Sequence, residues 1–280
     1  MRPLKDWYAA YRKLKKSDGG QMIFLDYEVD MTPRWTDGVG NPHIDKIIRD
    51  NQSTYEKNLT EIANLDVIAE IVKDAEALNW RNGFVPAVDA FTLIWGALKA
   101  PKTYMEVGSG NSTMFVKAAL SRVESDVKIV SIDPFPRKEV DQLCDEVIRS
   151  KLEDVDLTVF DRLEAGDVLF IDNSHRSFMN SDVTVSMLDV LPRLKPGVLV
   201  GFHDIMLPFD YPKSWSKRAY SEQYLVASYL LANPNYFDLQ FANHWIVREK
   251  LHEAPLKAYW DALGDDVRDR FPSAFWGYKT

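Results

Sequence analysis

The sequence predicts an α/β protein built around a mostly parallel, seven-stranded sheet. Three observations carry that reading: short apolar runs recur from residue 103 onward, segments of helical periodicity separate them, and a glycine-rich turn follows the first run. Strands that alternate with helices imply a parallel sheet with both faces covered. The length of 280 residues accommodates one elaborated domain or two small ones.

Taken in order, residues 1–16 read as a short helix on Leu4, Trp7, Tyr8, Tyr11 and Leu14, ended by Asp18-Gly19-Gly20. Residues 30–43 carry Pro33, Gly38, Gly40 and Pro42 and read as a loop. Leu59, Ile62, Ala63, Leu65, Ile68, Ile71, Val72, Ala75 and Leu78 recur near helical spacing. Pro86 suits the first turn of another helix, with Val88, Phe91, Ile94, Trp95 and Leu98 as its apolar face. Five strands are then expected at Thr103–Val107, Val127–Asp133, Leu157–Phe160, Asp167–Asp172 and Gly197–His203, with helical segments over 112–122, 138–151 and 178–193. Phe237–Phe241 and Trp245–Val247, separated by Ala242-Asn243-His244, read as a closing antiparallel hairpin. The expected organisation is an N-terminal helical extension over 1–100 packed on the core, a core over 101–250, and a C-terminal helical tail over 251–280.

Composition narrows the function. A hydrophobic share of 46% and a charged share of 27% exclude a disordered or collagen-like chain. The formal charge of −8 argues against sequence-independent nucleic-acid binding, which relies on Lys and Arg neutralising phosphates. The single Cys144 cannot form an internal disulfide, so a stapled secreted fold is excluded. Residues 1–16 are charged and lack a continuous apolar core, and no later stretch has 18 uncharged apolar residues. The expectation is a cytoplasmic protein with neither signal peptide nor membrane span. Its partner would be a small molecule, with a homo-oligomer left open.

Glu106-Val107-Gly108-Ser109-Gly110-Asn111-Ser112-Thr113 follows the first strand and opens a helix. Missing side chains let a ligand approach the backbone closely, and a helix N-terminus offers free N–H groups. Asp133, at the end of the second strand, is placed to accept both hydroxyls of a ribose. NAD binding favours G-x-G-x-x-G, yet Thr113 holds the third glycine's place, and a carboxylate at Glu106 suits a cationic ligand better than a pyrophosphate. S-adenosylmethionine carries a sulfonium and an ammonium and no phosphate, and is the favoured ligand. NAD is the distant alternative. A plain strand-to-helix turn accounts for the glycines equally well, with Glu106 holding the loop through its backbone N–H groups.

The block E-V-G-S-G-N-S-T resembles the first motif of class I S-adenosylmethionine-dependent methyltransferases. The runs W-R-N-G-F-V-P-A-V-D-A at 80–90, G-D-V-L-F-I-D-N-S-H at 166–175, L-P-R-L-K-P-G-V-L-V-G-F-H-D-I at 191–205 and Y-S-E-Q-Y-L at 220–225 resemble the family-24-type branch. That branch includes macrolide-sugar O-methyltransferases and cephalosporin-hydroxylase-like proteins, and the resemblance covers roughly residues 80–247. It implies the Rossmann-like class I methyltransferase fold, with Glu106, Gly108, Ser109, Gly110, Ser112, Thr113 and Asp133 around the cofactor. It implies an adenine pocket just before the expected third strand, where Glu153 and Asp154 stand; a surface charge run is the plainer reading. It also implies a D-x-x-H pair serving as metal ligand and base, matched by Asp172 and His175, and an acidic pair after the next strand. Asp204 matches that pair, whereas His203 departs from it.

The residues support part of this independently. Asp172 ends the fourth expected strand, and His203 and Asp204 end the fifth. Adjacent strands lie about 4.8 Å apart, and ligands of such sheets sit at the carboxyl ends of strands. Two carboxylates that close repel unless a proton or cation separates them. Mg²⁺ or Mn²⁺ would suit oxygen ligands, and a nitrogen from His203 would tilt the choice toward a transition metal. His203 could equally serve only to hold Asp204. His175 is a candidate base, because imidazole titrates near neutrality; the alternative is a loop-bridging role. Asp89 is read either as a contact to the cofactor's amino group or as part of a solvated helix face. Trp80, Phe84, Trp215 and Tyr220 are read as an acceptor pocket or as core, and Pro208–Trp215 as a loop near the strand tips that could act as a lid.

The expected reaction is transfer of a methyl group to a hydroxyl of a small molecule, a sugar or a natural-product scaffold. A hydroxylase-like relative and a non-catalytic S-adenosylmethionine-binding module are the alternatives.

Overall fold

The computed structural model describes residues 11–12, 26, 29–36, 38–74, 78–100, 102–136, 140–268 and 270–280. The helix expected over 1–16 (apart from 11–12), its Asp18-Gly19-Gly20 stop and Ala75 lie outside them. The chain divides into one unit over Met1–Thr32 and a second over Pro33–Thr280, which holds every element below.

Seven strands form one sheet: β1 (Thr103–Val107), β2 (Lys128–Ile132), β3 (Glu146–Ile148), β4 (Val168–Ile171), β5 (Leu199–Phe202), β6 (Phe237–Ala242) and β7 (Phe275–Lys279), in the order β3-β2-β1-β4-β5-β7-β6. The first five are parallel, and β7 runs antiparallel to both of its neighbours. The runs VLFI of β4 and LVGF of β5 are wholly buried, as a covered parallel sheet requires. The strand order reverses at β1, which pairs with β2 on one side and β4 on the other. The crevice of such a sheet opens at that reversal, beyond the carboxyl ends of the strands. This is a Rossmann-like, mostly parallel sheet with one antiparallel strand, β7, inserted near its edge.

Two strand expectations need correction. Leu157–Phe160 is not a strand: Leu157–Arg162 winds into a 3₁₀ turn, started by the Asp156 side chain accepting from the Thr158 N–H at 3.0 Å. The third strand is Glu146–Ile148, inside the segment read as helical, and it is short and only partly buried, which leaves almost no alternation to read. The closing antiparallel pair also has a different second member. Trp245–Val247 lies in a helix (Asn243–Arg248), and β6 pairs with β7 instead. The segment 251–280, read as a helical tail, holds two short helices (Lys257–Leu263, Asp265–Arg268) and then this strand. Gly201 of β5 explains the fit: it stands opposite Trp276 of β7, and a Cβ there would lie 2.4 Å from the indole ring.

Between Pro33 and the sheet, the described residues form α1 (Pro42–Arg49), α2 (Gln52–Ala63), α3 (Asp66–Lys73) and α4 (Ala87–Lys99). Asn41 caps α1 by accepting from the His43 and Ile44 N–H groups, with Pro42 in the first turn. The apolar stretch from Leu59 is broken at Asn64–Leu65 into two helices rather than one. In α4 every residue from Ala87 to Ala97 is buried, Asp89 included. Further on, α5 (Asn111–Leu120) connects β1 to β2, and α6 (Asp182–Val185) runs on through a π turn and Leu191–Arg193 to connect β4 to β5. Then α7 (Glu222–Ala232) leads to β6. Among the described residues no helix is long and apolar enough to cross a membrane.

Candidate active site

A cleft of about 620 Å³ opens at the carboxyl ends of β1, β2, β4 and β5. One half is built on the glycine turn. Gly108 has φ 86°, and a Cβ there would sit 2.0 Å from the carbonyl oxygen of Asp172, so only glycine lets the turn press against the end of β4. Asp133 accepts from the Ser109 N–H at 2.8 Å and hydroxyl at 2.9 Å, and from the Phe135 N–H at 2.8 Å. Gly108, Ser109, Asp133 and Glu153 all line the cleft.

Glu106 does not line it. Its fully buried carboxyl accepts hydrogen bonds from the Ser112 hydroxyl at 3.1 Å and from the Thr113 hydroxyl. Thr113 in turn accepts from the Gly110 N–H at 3.0 Å, so Glu106, Gly110, Ser112 and Thr113 clamp the start of α5 beneath the cleft. Burial pushes the Glu106 carboxyl up to about 8, against the two hydroxyl bonds. The expectation that a carboxylate at this position faces a cationic ligand is therefore replaced by a structural role. Asp154 also departs from its expected place: the 3₁₀ turn Leu152–Asp154 presents Glu153 to the cleft and turns Asp154 to a separate groove beside Ile148 and Ser150.

The other half gathers four side chains from the ends of β4 and β5. His175 Nε2 stands 3.3 Å from Asp172 Oδ1 and 3.4 Å from Asp204 Oδ2. His203 Nδ1 stands 3.4 Å from Asp172 Oδ1 and 3.6 Å from Asp204 Oδ1. Asp172, His175 and His203 each offer a ligand atom within a single 4.8 Å group. Asp204 is further held by the Ser273 hydroxyl at 3.1 Å. His175 and Asp204 both have positive φ, 59° and 54°, a backbone state that costs non-glycine residues energy and that clusters at functional sites.

Each imidazole has a carboxylate on its far side. His175 Nδ1 is 2.9 Å from Glu222 Oε2, and Glu222, fully buried at the start of α7, also accepts from the Asn173 amide at 2.9 Å. His203 Nε2 is 3.4 Å from Asp89 Oδ2. Asp89 is fully buried and accepts from the Ser273 and Ala274 N–H groups and the Asn243 amide, at 2.8–3.1 Å. Burial would drive both histidines neutral, but the surrounding carboxylates reverse this: His175 is pushed up to about 10 and His203 well above its ordinary value. Burial would likewise raise Asp172, yet the His203 charge and the His175 contact hold it far below the usual carboxylate range.

Of the expected aromatics, Phe84, Trp215 and Tyr220 line the cleft, while Trp80 packs in the core against Phe91 and Phe115. The Pro208–Trp215 segment is tied down rather than hinged as a lid: Asp210 accepts from the Arg34 and Trp35 N–H groups, and the Asn41 N–H donates to Pro208. Both readings of Asp89 fail, since it meets neither cofactor cleft nor solvent. Asp89, which the sequence suggests in another role, and Glu222 and Ser273, to which it assigns none, orient the site. An acid in the otherwise apolar run A-V-D-A-F-T-L-I-W was the signal available for Asp89.

Residues 105–205, which contain the glycine turn, Asp133 and the whole Asp172–Asp204 pair, match the family model of a methyltransferase domain, type 24. The match spans about a third of the chain and centres on the sheet that carries the cleft. No curated protein matches the chain. Solved structures that resemble it include the methyltransferase MycE of the mycinamycin biosynthetic pathway, in complex with Mg, SAH and mycinamycin VI: identity is 14%, the match covers 64% of this chain and 44% of that one, and the TM-score is 0.37. The O-methyltransferase TomG from Streptomyces achromogenes, in complex with SAM, is 15% identical, with 70% and 81% covered and a TM-score of 0.35. A described O-methyltransferase from Klebsiella pneumoniae is 13% identical, with 86% and 91% covered and a TM-score of 0.34. This chain thus spans less than half the length of MycE. Within the matched residues, the turn and the cluster share one crevice, at the strand-order reversal.

Proposed function

We propose that the protein transfers a methyl group from S-adenosylmethionine to a hydroxyl of a small molecule, a sugar or a natural-product scaffold, with help from a divalent cation. The observation that carries this reading is that the glycine turn with Asp133 and a histidine buttressed by a buried carboxylate open into the same cleft. S-adenosylmethionine would supply an electrophilic methyl on a sulfonium. Asp133 uses three of the roughly four acceptor sites of a carboxylate, so one remains for a ribose hydroxyl. Glu153 stands at the mouth of the same half.

Asp172 and Asp204, with His203 beside them, are the residues that would hold a cation, which would lower the pKa of a bound hydroxyl. Two carboxylates facing one another at the strand ends fit such a charge. Glu222 fixes the His175 ring through Nδ1 and leaves Nε2 directed at the cleft. With a cation beside Asp172 and Asp204 to offset the carboxylates that hold the ring protonated, Nε2 would be free to take the hydroxyl proton. Phe84, Trp215 and Tyr220 form an aromatic wall for the acceptor, which excludes water from the sulfonium. A cytoplasmic setting, where S-adenosylmethionine is made, belongs to the same proposal.

Calorimetric titration with S-adenosylhomocysteine and with NAD tests it. Binding of S-adenosylhomocysteine alone is expected, and Asp172→Ala should retain that binding while losing methyl transfer across a panel of hydroxylated acceptors. Absence of S-adenosylhomocysteine binding would overturn the reading.

A further inference from the structure

We infer that the cation site is a mixed nitrogen–oxygen site for a first-row transition-metal dication, with His203 Nδ1 as a ligand beside Asp172 and Asp204. The inference deepens the proposed reading, resting on it only for placing the ion in the methyl-transfer cleft.

The donor set is the first ground. Mg²⁺ demands oxygen ligands and keeps several waters, whereas imidazole suits Mn²⁺ through Zn²⁺ increasingly well. At the tips of β4 and β5, Asp172, His175 and His203 each offer a ligand atom within 4.8 Å of one another, and His203 Nδ1 stands 3.4 Å from Asp172 Oδ1 and 3.6 Å from Asp204 Oδ1. These spacings exceed normal N–H···O hydrogen bonds. They are close to the roughly 3.4 Å that separates donors arranged tetrahedrally at about 2.0–2.1 Å from one ion.

The second ground is the state of His203 itself. The residue is 4% exposed, and its Nε2 has no hydrogen-bond partner, although Asp89 Oδ2 faces it at 3.4 Å. A buried imidazole left this way is costly unless something engages it. Ligation through Nδ1 resolves both ends at once. The lone pair goes to the ion, and the Nε2 proton points at Asp89, the carboxylate–histidine–metal arrangement that fixes a ligand's tautomer. Asp89 is itself immobilised by Ser273 N–H, Ala274 N–H and the Asn243 amide, so it is a positioning residue that can turn His203 only one way. His175 faces the same carboxylates through the other ring nitrogen: Glu222 holds its Nδ1 at 2.9 Å, and the proposed function gives its Nε2 to proton transfer.

Co²⁺ is the probe. Wild-type protein should bind one equivalent, develop visible d–d bands, and keep them in about a hundredfold excess of Mg²⁺, a margin of the size that a single ligand or its support controls. The Co²⁺ form should show one hyperfine-shifted exchangeable imidazole N–H proton by NMR, lost in His203→Gln and retained in His175→Gln. His203→Glu should let Mg²⁺ displace Co²⁺. S-adenosylhomocysteine affinity, unchanged in each variant, reports that the fold is intact and separates this inference from the methyl-transfer reading. Failure of wild-type protein to bind Co²⁺, displacement by Mg²⁺ at parity, or persistence of the shifted proton in His203→Gln would overturn it. Should a variant misfold, the wild-type competition with Mg²⁺ decides alone.

Discussion

The two halves of the cleft satisfy their carboxylates by opposite means. On the β1–β2 side, Asp133 and Glu106 are met by N–H and O–H donors at hydrogen-bond distance. On the β4–β5 side, Asp172 accepts no backbone N–H bond on its side chain among the described residues, and imidazole nitrogens of His175 and His203 stand 3.3–3.4 Å from it. The first half is complete as built, ready to accept a neutral hydroxyl. The second is held together by charge, and in the proposed function a cation would sit there. Rigidity and incompleteness thus sit a single glycine apart, because Gly108 of one half touches the Asp172 backbone of the other.

That contact gives the most drastic way to break the comparison. Gly108→Ala places a methyl 2.0 Å from a carbonyl oxygen in a left-handed backbone, and should cost about 3 kcal/mol or more, read as a large drop in melting temperature and loss of both halves together. His175→Gln sharpens the contrast instead. It should lower methyl transfer roughly 10²–10⁴-fold while S-adenosylhomocysteine affinity in the other half stays unchanged by calorimetry. Asp89→Asn should weaken Co²⁺ binding roughly 10–100-fold, with cofactor-product affinity again unmoved.

A different kind of effect, set by pH, belongs to Glu106. Its folded pKa of about 8 lies above its ordinary 4.5, so the folded state binds the proton more tightly. The stability this contributes is complete below about pH 4.5 and drains away as pH rises through 8, with a slope of at most about 1.4 kcal/mol per pH unit. Denaturant midpoints measured from pH 4.5 to 8.5 should show this decline in wild type and a flatter profile in Glu106→Gln.

Much of this was readable in advance where the chain itself fixes position. A parallel strand delivers its last residues to one edge, so Asp133, Asp172, His203 and Asp204 could be assigned to the crevice once β2, β4 and β5 were recognised from their apolar runs. Side chains that arrive by packing were not readable. Asp89 and Glu222 sit on helices whose placement depends on distant segments, and Ser273 precedes a strand that periodicity did not reveal. Glu106 misled because its sequence neighbourhood is identical whether the carboxyl faces up into the cleft or down onto Ser112 and Thr113. Glu153 and Asp154 were separated only by the phase of a three-residue turn.

The insertion of β7 between β5 and β6 sets an order of events during synthesis. Ser273 and Ala274 supply the donors that pin Asp89 and Asp204, yet they are made after every residue they position. A ribosome that stalls before residue 273 releases a chain with its motif segments intact but with the buried acids of the cluster lacking those donors. Asp89, placed early in the chain, thus takes its final hydrogen bonds from residues synthesised 184–185 positions later.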